Sequence, residues 1–246
     1  MPNGTKIINH LPSYIYKVLK TLIYSDVHGN LPTFEKMLKV ERDCEQYICL
    51  GDLVNYAPWS NECVDLALSL PNSIILMGNH EQAFLNKKYD GSNELVQLFF
   101  AQTIKDFTKY TEISQFIEAC ILDKFQCQHT ILNQYIYPDT SVVLDNNYIV
   151  GHSHHQFHYQ NNGFSLYNTG SVGQNRKFIN VINYLIYNHN SKEMTLKSLS
   201  YDVNIVLNEM KSRKYPSVCV DYYEQKKIRI ANGNWTVFDA KHVQSA

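Results

Sequence analysis

Short apolar runs that end in residues able to bind metal recur along this chain, and the recurrence limits what it can fold into. Leu22-Ile23-Tyr24 leads through Ser25 into Asp26-Val27-His28-Gly29. Hydrophobic residues running straight into a D-x-H-G turn read as a buried strand that delivers an oxygen and a nitrogen ligand to the end of a sheet. The pattern returns at Gly51-Asp52, Gly78-Asn79-His80-Glu81, His129 and Gly151-His152-Ser153-His154. Each of these segments follows an apolar, strand-like run.

The intervals between them alternate. Pro32 stands where a first helical turn begins, and Phe34, Met37, Leu38 and Val40 give that helix one apolar face. Tyr47–Leu50 reads as a strand. Asn61 or Ser60 is placed to cap a helix carrying Val64, Leu66, Ala67 and Leu68, which Pro71-Asn72 stops. Ser73–Met77 is a third strand. Strand–helix alternation predicts right-handed crossovers and a parallel sheet, with a site at the carboxyl ends of the strands.

Residues 82–124 change character. Asn93–Phe107 and Glu112–Leu122 read as helices, so this stretch is expected to be a helical insertion at the rim of the site. Strands resume at Phe125–His129, Tyr148–Val150, Phe164–Tyr167, Val181–Tyr187 and Met194–Leu199. Asp202 is placed to cap a last helix bearing Val203, Val206, Leu207 and Met210, at the start of a C-terminal extension over 202–246. No repeat or linker divides the 246 residues, which read as a single domain.

Formal net charge is -1, so no global field points to nucleic acid or to a basic partner. The six cysteines show no C-x-x-C spacing, which argues against a zinc ribbon or a redox pair and fits a reducing compartment. The first twenty residues hold no apolar signal segment, and no apolar run approaches the roughly 20 residues of a membrane span. The expectation is a cytoplasmic protein without a membrane partner.

Asp26, His28, Asp52, Asn79, His80, His129, His152 and His154 offer oxygen and imidazole donors without thiolate. Such a set suits manganese, taken first, or iron, zinc, nickel or cobalt. It can fill two adjacent positions with one Asp bridging. Two ions roughly 3.5–4 Å apart clamp both oxygens of an in-line phosphoryl displacement and lower the pKa of bound water. Taken singly, each residue has a plainer reading. Asp26 and Asp52 suit turns, Asn79 suits its own loop, and a lone His129 suits a structural position. His155 and His158 crowd the fifth segment and compete with its two neighbours for a ligand role. His10, His189 and His242 lie outside every cluster.

In order and position, Asp26-x-His28, Gly51-Asp52, Gly78-Asn79-His80-Glu81, His129 and Gly151-His152-x-His154 resemble the calcineurin-like metallophosphoesterase superfamily. The flanks Asp26–Leu31, Gly51–Pro58 and Asn168–Arg176 are similar to its compact bacterial and archaeal phosphodiesterase-like branch. The resemblance runs from about Thr21 to Met210. It implies an α/β fold, a four-layered αββα sandwich of two mixed β-sheets flanked by helices. By the same resemblance, Asp26, His28 and His154 hold one divalent ion, Asp52 bridges, and Asn79, His129 and His152 hold the second. His80 stands beside the phosphate as general acid or transition-state stabiliser, and Glu81 orients it. Three positions depart from the family pattern: Glu81 for the usual Asp, Thr130 for a Gly after the fourth-motif His, and Thr169 for a Pro. Arg176 reads either as a surface residue or as a guanidinium forked onto substrate phosphate, a role shared with Asn79.

The function implied is hydrolysis of a small phosphorylated substrate, a phosphodiester or a nucleotide. Dinucleoside polyphosphates are an alternative. Serine/threonine protein phosphatase is another, and Asn55-Tyr56-Ala57 counts against it, since those enzymes carry Asp-Arg-Gly there. A non-catalytic protein-binding scaffold is the reading of another class, and the full ligand set argues against it.

Overall fold

Leu22 and Tyr24 of strand β1 (Lys20–Tyr24) face one way and Ile23 the other, and all three are fully buried. A strand buried on both faces needs cover on both. The computed structural model, which describes residues 19–131 and 134–227, shows helices on one side and a second sheet on the other.

The chain first winds β1, α1 (Leu31–Val40), β2 (Gln46–Cys49), α2 (Ser60–Ser69) and β3 (Ser73–Ile75) into the expected parallel unit. Helix α1 carries its Pro in the first turn and buries Phe34 and Met37. Helix α2 starts without a side-chain cap, contrary to expectation. The two capping candidates are engaged elsewhere: Ser60 Oγ accepts the Asn55 N–H, and Asn61 accepts the Thr108 N–H and donates to the Asp106 carbonyl.

Helices α3 (Asn79–Leu85), α4 (Glu94–Thr103) and α5 (Tyr110–Ile113) follow, with a 3-10 turn at Ile104–Asp106. The helix expected over Glu112–Leu122 is not formed. One turn of α5 gives way to β4 (Ala119–Leu122), which hairpins onto β5 (Phe125–Gln128) and sets Cys120 opposite Cys127. Strand pairing buries Leu122 and leaves Ile121 67% exposed, a period-two division that a helix reading misses.

Strands β6 (Asn147–Val150), β7 (Gln156–Asn161) and β8 (Phe164–Thr169) complete a sheet of order β4-β5-β6-β8-β7, in which β5, β6 and β8 run parallel. Strand β9 (Val181–Asn188) returns antiparallel to β1, and β10 (Glu193–Ser200) pairs antiparallel to β9, giving the first sheet the order β10-β9-β1-β2-β3. Helix α6 (Asn204–Ser212) buries Val206, Leu207 and Met210, and Asp202 accepts the Asn204 N–H ahead of it. Helix α7 (Ser217–Gln225) has no counterpart in the sequence reading. It is held by tertiary packing, with Cys219, Val220 and Tyr223 buried and Tyr223 against Phe99.

The inter-sheet core contains Ile23, Ile48, Leu50, Ile149 and Leu185. Truncating one of these to Ala costs about 2–5 kcal/mol. Outside the second sheet, Tyr148, Val150, Phe157 and Leu166 are covered by Ile136 and Leu144, from a stretch that is not helical among the described residues. The two mixed five-stranded sheets and seven helices are consistent with the expected αββα sandwich, with this non-helical stretch forming the outer cover of the second sheet among the described residues. No helix among the described residues is long and apolar enough to cross a membrane, and the six cysteines are unpaired. His10 and His242 lie outside the described residues, as do most of residues 1–20 and the end of the 202–246 extension.

Candidate metal centre

The parallel strands of both sheets deliver their carboxyl ends to one rim. Backbone bonds stitch the two sheets there: Val172 N–H to the Ser25 carbonyl at 3.1 Å and Gly173 N–H to the Asp26 carbonyl at 3.0 Å. Ser171 Oγ donates to that same Asp26 carbonyl, and the His152 N–H donates to Asp26 Oδ2. The rim is tight. A Cβ at Gly151 would lie 2.7 Å from Asp26 Oδ2, and one at Gly78 would lie 2.6 Å from Glu81 Oε2.

Asp26, His28, Asp52, His152 and His154 all hold left-handed backbone, with φ of 56°, 49°, 58°, 67° and 61°. Non-glycine residues avoid this region, and strain of this kind concentrates at functional sites. Here the turns aim successive side chains inward. Three groups of potential ligand atoms result, each within 4.8 Å: Asp26, His28 and His154; His28, Asp52 and His80; Asp52, His129 and His152. Asn79 joins the last through Oδ1, 3.1 Å from His129 Nε2. His155 and His158 fall outside these groups; His158 stacks on Tyr167 and His155 meets the edge of Tyr137. His189 bonds Thr21 Oγ1, away from the rim.

Ring orientation shows what the clusters need. His28 Nδ1 lies 3.0 Å from the Val54 carbonyl, His154 Nδ1 2.6 Å from the Gln174 carbonyl and His129 Nδ1 2.9 Å from the Leu50 carbonyl. A carbonyl only accepts, so each Nδ1 carries a proton, and Nε2 of each ring is the nitrogen turned inward that can offer a lone pair to a cation. The Nε2 atoms of His28 and His154 then face each other at 3.1 Å, with Asp26 Oδ1 3.0 Å from the latter. Asp26 Oδ1 is buried without a hydrogen-bond donor. Lone pair against lone pair against carboxylate is a donor set for a cation. The second cluster repeats it: His129 Nε2 meets His152 Nδ1 at 3.0 Å and Asp52 Oδ2 at 3.3 Å. The residues present therefore fit two divalent ions.

Charge follows the same logic. Burial works against ionising Asp26 and Asp52, but the surrounding imidazoles, His154 for Asp26 and His129 and His80 for Asp52, hold both carboxyls well below the usual range. Burial pushes His80 down to about 3 and His152 and His154 down to about 4. At His129 burial is outweighed by Asp52, which pushes the ring up to about 10.

His80 lines a cleft of about 80 Å³ with Asp52, Asn79, Tyr56, Tyr89, Tyr135 and Arg176. Glu81 does not touch its ring. The Glu81 carboxylate accepts the backbone N–H groups of Asp52, Leu53, Val54 and Gly78, so it shapes the turn that carries Asp52. Burial and Asp52 push it up to about 7 while those donors work the other way. The ring partner of His80 is Asn55, 2.8 Å from Nδ1. Burial opposes the charge on Arg176, and the neighbouring phenols of Tyr56, Tyr222 and Tyr135 shift it the other way. Tyr89 stacks on His80 and Tyr135 on His152. Asn55, Tyr89 and Tyr135 escape a motif search. Of these, only Asn55 carries a signal, as an Asn three residues after Asp52 in a turn.

The family model for calcineurin-like phosphoesterases matches residues 19–213. An uncharacterised protein of Methanocaldococcus jannaschii is 26% identical over 229 residues, spanning 79% of this chain and 93% of that protein. A metallophosphoesterase structure from Sphaerobacter thermophilus superposes with a TM-score of 0.71 at 21% identity, covering 84% of this chain and 98% of that one. A hypothetical protein from Pyrococcus horikoshii gives 0.69 at 11% identity, covering 83% and 97%.

Proposed function

Since the chain belongs to the calcineurin-like phosphoesterase family, we propose that its substrates are small phosphodiesters or nucleotides and that its metal is manganese. The observation that carries the reading is the placement of Asp52. Its Oδ2 lies 3.3 Å from His129 Nε2 and 3.8 Å from His28 Nε2, between two sets of inward lone pairs, beside a cleft that holds Arg176. The mixed oxygen and imidazole set, free of thiolate, suits manganese and its neighbours in the series.

Asp26, His28 and His154 would hold one ion, Asn79, His129 and His152 the other, and Asp52 both. Such a pair supplies Lewis acidity, neutralising phosphoryl charge and acidifying water. The protein's own residues do the rest. Arg176 offers a planar fork of donors to phosphate oxygens. His80 faces the substrate from the cleft wall. Tyr56, Tyr89 and Tyr135 line the cleft beside it. Residues 82–124 supply part of that wall through Tyr89, Asn93 and Val96, within what we read as one metallophosphoesterase domain.

The test compares bis(p-nitrophenyl) phosphate with p-nitrophenyl phosphate, each with manganese, iron, zinc, nickel or cobalt. Manganese-dependent turnover favouring the diester, abolished by chelation, is expected. No hydrolysis of either ester with any of these ions would overturn the reading.

A further inference from the structure

The amide of Asn55 faces His80 Nδ1, and which end of it does so is fixed by a third group. The Tyr56 backbone N–H points at the other amide atom from 2.8 Å, and an N–H needs an acceptor there. That atom is therefore Oδ1, and the Thr103 hydroxyl lies 3.0 Å from the same oxygen. The nitrogen Nδ2 is left 2.8 Å from His80 Nδ1, and an amide NH₂ only donates. His80 Nδ1 must hold a lone pair, so the ring proton sits on Nε2. That nitrogen remains for whatever enters the cleft, which His80 lines beside Asp52. Asn55 itself is fixed on its backbone side, with φ of 76° and its N–H on Ser60 Oγ.

We propose that Asn55 is a positioning residue that holds His80 as a neutral imidazole protonated on Nε2, so that His80 meets the substrate as a fixed hydrogen-bond donor and not as a proton carrier. The role rests on the phosphoesterase reading above. Hydrolysis balances without a proton from His80. A water oxygen bonds to phosphorus and gives up a proton to solvent, the bond from phosphorus to the leaving oxygen breaks, and the leaving oxygen takes a proton from solvent. His80 Nε2–H stabilises charge on the oxygens it faces and keeps its proton. Releasing it would leave an imidazolate in a buried site among carboxylates, at a large electrostatic cost. A preorganised donor of this kind is worth about 10²–10³ in rate.

The test is ¹⁵N spectroscopy of the histidine rings in the full chain loaded with zinc, which is diamagnetic. Signals of His80 are those that vanish in His80→Gln. The expected pattern is an unprotonated Nδ1 and a protonated Nε2. Asn55→Asp keeps the acceptor for Tyr56 but turns the donor into a second acceptor, so Nδ1 should become protonated. The rate ratio between a nitrophenyl ester and an alkyl ester of the same phosphate should then narrow by about tenfold or more, because an imidazolium can protonate the leaving oxygen. A protonated Nδ1 in the wild-type protein would overturn the proposal even if Asn55→Asp fails to fold, and would leave the phosphoesterase reading intact. An unchanged rate ratio in a folded Asn55→Asp would overturn it as well. The expected ring pattern with no turnover on any ester would overturn the catalytic role together with the phosphoesterase reading, while the tautomer itself stands.

Discussion

The two ligand clusters hold their rings differently. Around Asp26, both His28 and His154 give Nδ1 to a backbone carbonyl and turn Nε2 inward, and none of the three residues is more than 3% exposed. Around Asp52, only His129 is held that way. His152 turns Nδ1 inward instead, and its ring is covered by Tyr135, itself 48% exposed. Rings fixed in advance lose little freedom when an ion arrives, and loosely held rings lose more. The first cluster should bind its ion tightly and exchange it slowly, and the second should bind more weakly.

The largest effect is expected at His28, whose Nε2 lies 3.6 Å from Asp26 Oδ1 and 3.8 Å from Asp52 Oδ2. His28→Ala should reduce occupancy of both ions and lower turnover by at least about 100-fold, since even partners of ligands are worth 10–100-fold. Wild-type kinetics in that variant would contradict the ranking of the clusters. His129→Ala should do less: elemental analysis should show loss of one ion with the other retained. Loss of both would make the clusters a single unit.

Tyr135→Ala probes the looser ring directly. Removing the 4.0 Å stack from His152 should weaken the second ion about tenfold and leave the first unaffected. Calorimetric titration reads both, and an equal loss at both would refute the assignment of Tyr135 to one cluster.

The smallest effect is read by pH in the metal-free protein, where His129 and His152 of the second cluster shift in opposite directions. His80, His152 and His154 are lowered in the fold, so the unfolded chain binds protons first, and stability falls as pH drops from about 6.5. His129 is raised to about 10, and its contribution is complete below about 6.5 and lost as pH rises through about 10. The metal-free protein should melt highest near pH 6.5 and lower on either side. A melting temperature that rises steadily to pH 10 would contradict the opposite shifts.

Much of this was written in the sequence because strand ends and ligands coincide there. Asp26, His28, Asp52, Asn79, His80, His129, His152 and His154 can be found from the chain alone, and the fold gathers them at one rim. What could not be read depends on contacts distant in sequence. Strand β4 forms because β5 pairs with it, and α7 forms because Phe99 and its neighbours bury Tyr223. Asn55 acquires its place opposite His80 only once α3 closes on the β2 turn. Glu81 illustrates the reverse error. Its neighbour in sequence is His80, but its carboxylate turns toward the backbone of the Asp52 turn.

Manganese titration of the wild-type protein and of Asp52→Asn, followed by elemental analysis, tests the shared carboxylate most directly. The wild type should take up two ions per chain in two affinity classes, and Asp52→Asn should weaken both classes together, because both lose the same charge. Full retention of both ions in Asp52→Asn, or a wild-type stoichiometry of one, would contradict a two-ion centre joined through Asp52.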